Sequence, residues 1–292
     1  MALSEVQVQA IRSMRAEGMA YRKIAKKLDA GVGSVLKYSS DVQLSNEQLL
    51  QLKANEYGAK RIFTSNFAKP KGINVPELNE DFANLLGHLF FDGHVIQGNG
   101  KYVLGYTNST YAAIENFSQK LEACFGLKPS KIFRVNGGKI GWFQLTAYSK
   151  NAYLFLKQIS PTFSTSKKAR VPEIIFSADA IVKSAFMRAF WDDEGCISNA
   201  GELCGTSKSE EMIDDLIKLH QSIGIESSKS VAHRKEVELI YRIRIRRNKG
   251  NYSKFIAFAG FEHANVTRGF NIGKAKKAVL IEKFKQFYGN NP

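Results

Sequence analysis

Two short apolar runs, each ending in a carboxylate followed by glycine, constrain the fold of this chain more than any other feature. The first run is Leu85–Gly93 and the second is Phe186–Gly195. Each is too short to cross a membrane and long enough to form a buried helix. A carboxylate in the last turn of a buried helix is unfavourable, because both the helix dipole and burial disfavour its charge. Because such an unfavourable feature occurs twice, the pattern predicts that the two carboxylates act together.

The two carboxylates are those of Asp92 and Glu194. If the two helices pack side by side, both side chains meet at the same end of the helix pair. Adjacent carboxylates repel each other unless a cation lies between them, and hard oxygen ligands of this kind suit Mg²⁺. The pattern therefore predicts a divalent-cation site shared by the two helices.

The two runs resemble the two LAGLIDADG motifs of the single-chain homing endonuclease family. The metal-binding acid at the eighth motif position falls on Asp92 and Glu194, and the small residue at the third position falls on Gly87 and Ala189. Helices approach closely only where side chains are small, which is the physical reason for that position. The resemblance covers roughly residues 78–290. It implies an α+β fold with two pseudo-symmetric αββαββα halves, each carrying a DNA-binding antiparallel sheet.

The segments that follow the two motifs repeat the same order of helices and strands. Ser109–Phe125 and Ser209–Ile223 carry apolar residues at helical spacing, and each is followed directly by a glycine that ends the helix. A strand pair is predicted after each helix, at Ile132–Val135 with Ile140–Tyr148 and at Ser227–His233 with Val237–Arg246. An internal repeat of this kind predicts a pseudo-twofold domain.

These patterns divide the chain into five segments. They are a small three-helix unit at 1–43, a connecting helix and basic linker at 44–77, the first half at 78–161, an inter-half linker at 162–176 and the second half at 177–292. Within residues 64–77, proline and glycine together with lysine indicate a basic linker.

The three-helix unit resembles a helix-turn-helix of the recombinase and short-regulator type, on its run Gly-Met-Ala-Tyr-Arg-Lys-Ile-Ala at residues 18–25. In that geometry the helix after the turn enters the major groove of DNA. The residues expected to face the groove are then Ser34, Lys37 and Tyr38. The alternative is a basic three-helix cap that only packs on the rest of the protein.

The formal net charge of +15 predicts a polyanionic partner, with nucleic acid ahead of a membrane surface. Composition alone fits a basic structural protein equally well. The three cysteines form no CxxC pair and no zinc-ligand spacing, and an odd, sparse count fits a reducing compartment. The chain has no apolar signal core, so a soluble intracellular protein is expected, in the cytoplasm with the nucleoid or an organelle matrix left open. The resemblance implies a monomer.

Three arginines in the second half alternate with apolar residues on a predicted strand, so Arg242, Arg244 and Arg246 share one face. Like charges on one sheet face repel each other, whereas arginine contacts guanine edges and phosphates. The corresponding strand of the first half carries Gln144 and Thr146, which favour adenine or water-mediated contacts. The alternative is a charged outer surface. Further DNA-binding candidates are Lys131, Arg134 and Arg234.

The resemblance implies phosphodiester hydrolysis of double-stranded DNA with Mg²⁺, for which Mn²⁺ is expected to substitute. It also implies that the backbone carbonyls of Phe91 and Asp193 face the metal. A catalytic basic residue is implied at the start of the helix after the first strand pair, where the second half has Lys208 and the first half has Asn108. Because asparagine cannot supply a charge, unequal cleavage of the two strands, or nicking, is expected.

Two residues depart from the small seventh motif position of the family. Phe91 is expected to push the two helices apart, and the Asp193 carboxylate is expected to compete for the metal. His88 and His94 flank Asp92, but a polar residue on a buried helix more often satisfies a local hydrogen bond, so neither is assigned as a ligand.

The leading hypothesis is a site-specific homing endonuclease with a long pseudo-palindromic or asymmetric DNA target. A free-standing protein is expected rather than an intein, because the chain starts at Met1 and ends in Asn290-Asn291-Pro292 without a His-Asn junction. The alternative is a cleavage-deficient relative that binds DNA as a regulator or binds intron RNA as a maturase. A basic structural protein is the third reading, and it leaves the two buried carboxylates unexplained.

Overall fold

A computed structural model describes residues 3–45, 48, 72–136, 141–163, 168–234, 238–267 and 271–289. The chain forms two compact units, Met1–Lys69 and Pro70–Pro292, which are described separately. The predicted connecting helix and basic linker fall largely outside the described residues, and so does the side chain of Arg234.

The described part of the first unit consists of α1 (Glu5–Ala16), α2 (Tyr21–Lys27) and α3 (Val32–Ser39). Ser4 begins α1 with a capping box, in which its side chain accepts from the backbone of Gln7 and the Gln7 side chain accepts from the backbone of Ser4. Apolar residues from all three helices form a small separate core, consisting of Ile11, Ile24, Ala25 and Val35.

The second unit contains two successive halves with the same order of elements. The first half consists of α4 (Glu80–Phe90), β1 (Gly93–Gly98), β2 (Lys101–Asn108), α5 (Tyr111–Phe125), β3 (Lys131–Val135), β4 (Trp142–Tyr148) and α6 (Lys150–Ile159). After a short helix α7 (Glu173–Phe176), the second half consists of α8 (Ala180–Glu194), β5 (Gly195–Ile197), β6 (Leu203–Ser207), α9 (Glu210–Ser222), β7 (Ser227–Arg234), β8 (Glu238–Ile245), α10 (Lys249–Lys254), a π-helical turn (Phe255–Ala259) and α11 (Lys276–Tyr288). The predicted order of elements is confirmed.

Each half contains an antiparallel sheet among its described residues, and the two sheets have equivalent strand orders. The first is β1-β2-β4-β3 and the second is β5-β6-β8-β7. Helices cover one face of each sheet, and apolar residues of helices and strands together form a continuous core. The α+β fold with two pseudo-symmetric halves is therefore confirmed.

The motif helices α4 and α8 pack against each other through small residues. A Cβ atom added at Gly87 would lie 2.6 Å from the Cβ of Ala189 and 3.0 Å from the carbonyl oxygen of Phe186, so the two backbones are in contact. One turn away, the Asn84 side-chain amide donates to the carbonyl oxygen of Ala185 across the interface, at 3.1 Å.

The expected separation of the helices by Phe91 is wrong. Its side chain is buried, with its ring centroid 5.6 Å from that of Phe186 and 5.1 Å from that of Phe190. Phe91 follows the end of α4 and packs against two rings of α8, while the helices remain in contact at Gly87 and Ala189. None of the described helices is both long and apolar enough to span a bilayer.

Candidate metal and nucleic-acid site

A cavity of about 510 Å³ opens at the ends of α4 and α8. Its walls come from both motifs, both sheets and the segment before α11. The polar lining residues are Asp92, Asn108, Ser109, Asp192, Asp193, Glu194, Thr206, Asn265, Thr267 and Lys276. The two predicted acids therefore line the same cavity.

Glycine fixes the position of each acid at the point where helix changes to strand. A Cβ at Gly93 would lie 2.6 Å from the carbonyl oxygen of His88, and one at Gly195 would collide with the carbonyl oxygen of Trp191. Only glycine allows the chain to turn this tightly after the helix. The glycine that ends each motif thus holds Asp92 and Glu194 at the bottom of the helix pair.

Asp92 lies in an environment that disfavours its charge while the residue keeps solvent access. Burial and, to a smaller extent, the nearby Asp193 raise the pKa of Asp92 to about 8, although Lys276 opposes the increase. A cation in the cavity would offset these effects, because it would favour the charged form of the carboxylate.

The Asp193 side chain is not available to compete for a metal, contrary to the sequence-based expectation. It is fully buried, and the Tyr106 hydroxyl donates to its Oδ1 at 2.6 Å. His88 Nδ1 lies 2.8 Å from its Oδ2, and the Asn108 side-chain amide lies 3.4 Å from Oδ1. Burial raises the pKa of Asp193 well above its usual range and lowers that of His88 to about 4. The Asp193 carboxylate is therefore part of a buried polar network, and only its backbone carbonyl remains a candidate ligand.

Asn108 has a structural role within this network. Its Nδ2 donates to the Tyr106 hydroxyl at 3.0 Å, and its Oδ1 accepts from the backbone of Thr110 at 2.9 Å. Lys208 lines a second, separate cavity of about 170 Å³ together with Glu210, Glu211, Leu239 and Tyr241. The two positions that the resemblance equates thus have different surroundings.

Lys276, at the start of α11, is a buried cation in the central cavity that the sequence analysis did not find. Its ammonium group donates to the carbonyl oxygens of Asp192 and Gly195, both at 2.7 Å, and of Trp191 at 3.4 Å. Burial lowers the pKa of Lys276, and Asp192 and Asp193 oppose the decrease. Three neighbouring lysines precede or begin α11, and nothing in their spacing distinguishes Lys276 from the other two.

The Asp192 carboxylate fixes the loop before α11 to the second motif. It accepts from the backbone N–H groups of Glu262 and His263, both at 2.9 Å, and of Ala264 at 3.4 Å. Lys276 and Asp192 thus form two attachments between the C-terminal segment and the end of α8.

The open face of the second sheet carries two of the three predicted arginines. Arg242 lies opposite Thr206 and Ser230, and Arg244 lies opposite Cys204 and Ser228. Directly opposite residues of antiparallel strands share a face, so these side chains lie on one surface. The apolar residues between the arginines are buried on the other face, as predicted, with Ile243 fully buried.

Arg246 follows the last residue of β8, and its guanidinium donates to the Glu226 carboxylate at 2.7 Å. In the first sheet, Gln144 lies opposite Thr107 and Phe133, and Lys131 lies opposite Thr146. Arg134 lies opposite Phe143, on the other face from these residues, with its guanidinium 5.8 Å from the ring centroid. The pairing register therefore separates Arg134 from the other first-half candidates.

The three residues of the first unit that were predicted to face the DNA groove all lie on α3. Lys37 is exposed, Ser34 and Tyr38 are partly buried, and the Lys37 ammonium lies 5.5 Å from the Tyr38 ring centroid. Tyr38 also packs against the small core of this unit.

No group of three or more His, Cys, Asp or Glu side chains converges as a ligand set in the described ranges. Asp92 and Glu194 nevertheless fit Mg²⁺, which is usually bound by one or two carboxylates together with water and substrate oxygens. The shared cavity is the observation that supports this fit, because it brings the oxygen donors of both motifs to one place.

The second half also matches a known protein family by sequence. Residues 182–257, from within α8 to the π-helical turn, match the family model described as LAGLIDADG-like domain. Together with the paired motif helices and the two equivalent sheets, this match defines a two-motif LAGLIDADG fold. This segment includes the second of the two motifs, so the family match agrees with the resemblance seen in the second half.

Curated relatives share only part of their length with this chain. A DNA polymerase of Thermococcus sp. (strain GE8) is 31% identical over 155 residues, covering 52% of this chain and 9% of the relative. The replication factor C small subunit of Methanocaldococcus jannaschii is 27% identical over 197 residues, covering 66% of this chain and 10% of the relative. The chain thus spans about a tenth of these proteins.

Solved structures of similar shape include I-DmoI in complex with DNA and Mn. It has a TM-score of 0.48 and 16% identity, covering 64% of this chain and 99% of that one. Full-length DUF199/WhiA from Thermatoga maritima has a TM-score of 0.48 and 16% identity, covering 73% of this chain and 63% of that one.

Proposed function

We propose that this protein is a metal-dependent, site-specific endonuclease that hydrolyses double-stranded DNA. The observation that carries the proposal is the meeting of Asp92 and Glu194 in one cavity between two antiparallel sheets. A protein that only binds DNA has no need of two acids at the contact point of its two halves. The net charge of +15 supports a polyanionic substrate.

Asp92 and Glu194 would hold Mg²⁺ or Mn²⁺, with the backbone carbonyls of Phe91 and Asp193 as further ligands. The bound cation would supply stabilisation of negative charge on the attacking and leaving oxygens of the phosphodiester. Each acid is held in place by its helix and by the glycine that follows it, so the protein's contribution is a fixed separation of the ligands.

Lys276 is a positioning residue in this proposal. The three carbonyl oxygens around its ammonium group match the three N–H bonds that a lysine can donate. Its charge stabilises the carbonyl end of α8, which carries Glu194, and offsets part of the negative charge near Asp92. Lys208 remains a sequence-based candidate for the catalytic basic residue.

DNA recognition would use the open faces of the two sheets. Arg242 and Arg244 in the second half suit guanine edges and phosphates, whereas Gln144 in the first half suits adenine. Because these side chains differ in charge, the two halves would read different half-sites, and the target would be asymmetric. The first unit, with Lys37 exposed on α3, would add contacts outside the cleaved segment.

The second candidate function is binding without cleavage, as a DNA-binding regulator or an intron RNA maturase. The three-helix unit favours it, because α2 and α3 have the arrangement along the chain that a helix-turn-helix requires. DNA cleavage that requires a divalent metal ion would distinguish the endonuclease from a protein that only binds DNA or RNA.

The experiment begins by selecting the preferred DNA from a randomised duplex library with Ca²⁺ present. The selected DNA is then incubated with Mg²⁺, Mn²⁺, Ca²⁺ or a chelator. Asp92→Asn and Glu194→Gln are compared with Glu115→Gln, which removes an exposed carboxylate on α5. Cleavage that needs Mg²⁺ or Mn²⁺, and that is lost only in the two site variants, is expected. Specific binding without cleavage under every condition would reject the endonuclease and favour the binding function.

A further inference from the structure

We propose that Cys196, which lines the central cavity, and Cys204 on β6 form a reversible dithiol–disulfide site. The two residues are directly opposite each other on the antiparallel strands β5 and β6, and their Sγ atoms lie 3.1 Å apart. Both are free thiols.

The backbone already has a geometry that a disulfide can adopt. Directly opposite residues of antiparallel strands have Cα atoms about 4.5–5.5 Å apart, which falls within the roughly 4.4–6.8 Å found across disulfides. The two sulfur atoms need to approach by about 1 Å to reach a bonded length of about 2.05 Å. Side-chain rotation and a small shift of the three-residue strand β5 can supply this movement without changing the register.

A small oxidant has access to the pair. Cys196 is exposed and lines the cavity of about 510 Å³, and Cys204 is partly exposed. The third cysteine, Cys124, is buried within α5. The chain therefore contains one reactive pair and one internal reference thiol.

With hydrogen peroxide as the oxidant, the reaction balances in two steps. The Cys196 sulfur attacks one peroxide oxygen, the O–O bond breaks, and water leaves as Cys196 becomes a sulfenic acid. The Cys204 sulfur then attacks the Cys196 sulfur, and the S–O bond breaks with loss of a second water molecule as the S–S bond forms. One peroxide is reduced, two thiols are oxidised, and an added dithiol reverses the change.

The site is coupled to the acids through a short covalent path, and this consequence rests on the proposed endonuclease function. Cys196 follows Glu194 and Gly195, and the Gly195 carbonyl accepts from Lys276. Drawing Cys196 towards β6 shifts the strand that begins at Gly195, so the oxidised protein is expected to cut DNA several-fold more slowly than the reduced protein.

The test treats the full chain with equimolar hydrogen peroxide and then measures its intact mass and free thiols under denaturing conditions. The expected product is a monomer lighter by two hydrogen atoms, with Cys124 as the remaining thiol and a crosslinked peptide joining Cys196 to Cys204. Dithiothreitol should restore all three thiols. Cys124→Ser should form the same crosslink, whereas Cys196→Ser and Cys204→Ser should not.

Retention of all three thiols, or overoxidation of Cys196 without a crosslink, would overturn the proposal, because either result shows that peroxide does not join the two sulfur atoms. The circular dichroism of each variant shows whether it is folded, so loss of the crosslink through unfolding is recognised. A separate assay measures the rate of DNA cleavage by the oxidised and the reduced protein, for the wild type and for Cys204→Ser. Crosslinking in a protein that never cuts DNA would reject the endonuclease function and leave the thiol site standing.

Discussion

Replacing Gly87 with alanine would place a methyl group where α4 and α8 are in contact. The new Cβ would lie 2.6 Å from the Cβ of Ala189 and 3.0 Å from the carbonyl oxygen of Phe186. Carbon atoms that are not bonded prefer about 3.5–4.0 Å, so the helices must separate by roughly 1 Å. Overpacking of this kind costs about 1–3 kcal/mol, and the higher helix propensity of alanine returns up to about 1 kcal/mol.

We therefore expect Gly87→Ala to lower the free energy of unfolding by about 1–2 kcal/mol in urea, followed by tryptophan fluorescence. Gly250→Ala is the matched control, because Gly250 is also helical and an added Cβ there meets only the Asn248 side chain, at an ordinary 3.8 Å. This control substitution should leave the free energy of unfolding unchanged or raise it slightly.

The double variant Gly87→Ala with Ala189→Gly transfers the methyl group from one helix to the other. If the clash is the cause, this exchange should recover much of the loss and give a coupling free energy of about 1 kcal/mol or more. A Gly87→Ala protein as stable as the wild type, or a double variant whose loss is the sum of the two single losses, would refute the close-contact argument.

Three further predictions concern buried or paired charges. Burial lowers the pKa of His220 to about 4, and its Nε2 accepts from the Trp191 indole N–H at 2.9 Å, which requires the neutral ring. The unfolded chain therefore binds a proton at His220 between about pH 6.5 and pH 4 that the folded chain does not, so this histidine alone should contribute a fall of about 3 kcal/mol in the free energy of unfolding over this range. His220→Gln should flatten that part of the pH profile, and an unchanged profile would contradict the assignment. Lys276→Met removes the ammonium donor from the carbonyl oxygens of Asp192 and Gly195 and should cost about 1–3 kcal/mol in urea unfolding, together with a loss of DNA cleavage at a temperature where the variant is folded. Full activity in that folded variant would show that Lys276 has no positioning role. Arg244→Ala should weaken binding of the selected DNA by about 1–3 kcal/mol and relax its specificity, as measured by fluorescence anisotropy with single-base variants. Arg246→Ala should weaken DNA binding less, because Arg246 is already paired with Glu226. Equal losses of binding in the two variants would argue against the assignment of Arg244 to the DNA-binding face.

The sequence predicted the features of the fold that depend on local pattern. Glycine at the end of each motif, apolar residues at helical spacing and alternating arginines are all readable along the chain, and each corresponds to an observed helix end, helix or strand face. The small residues at Gly87 and Ala189 likewise predicted the close helix contact that the structure shows.

The site contains features that depend on contacts distant along the chain. Tyr106 reaches Asp193 from 87 positions away and Lys276 reaches the Asp192 carbonyl from 84 positions away, so no local window contains either pair. The face of Arg134 depends on the pairing of β3 with β4, which alternation within β3 alone does not fix. The contact of the helices despite Phe91 depends on two aromatic rings of the other half.

The attachments of Asp192 and Lys276 have a consequence for the order in which the protein matures. Both acids are synthesised well before residues 262–276, which supply the backbone donors to Asp192 and the ammonium group beneath α8. During synthesis, a chain that already contains both LAGLIDADG motifs still lacks the groups that hold the second acid in place. The proposed cation site would therefore be complete only after α11, which begins at Lys276, has started to form.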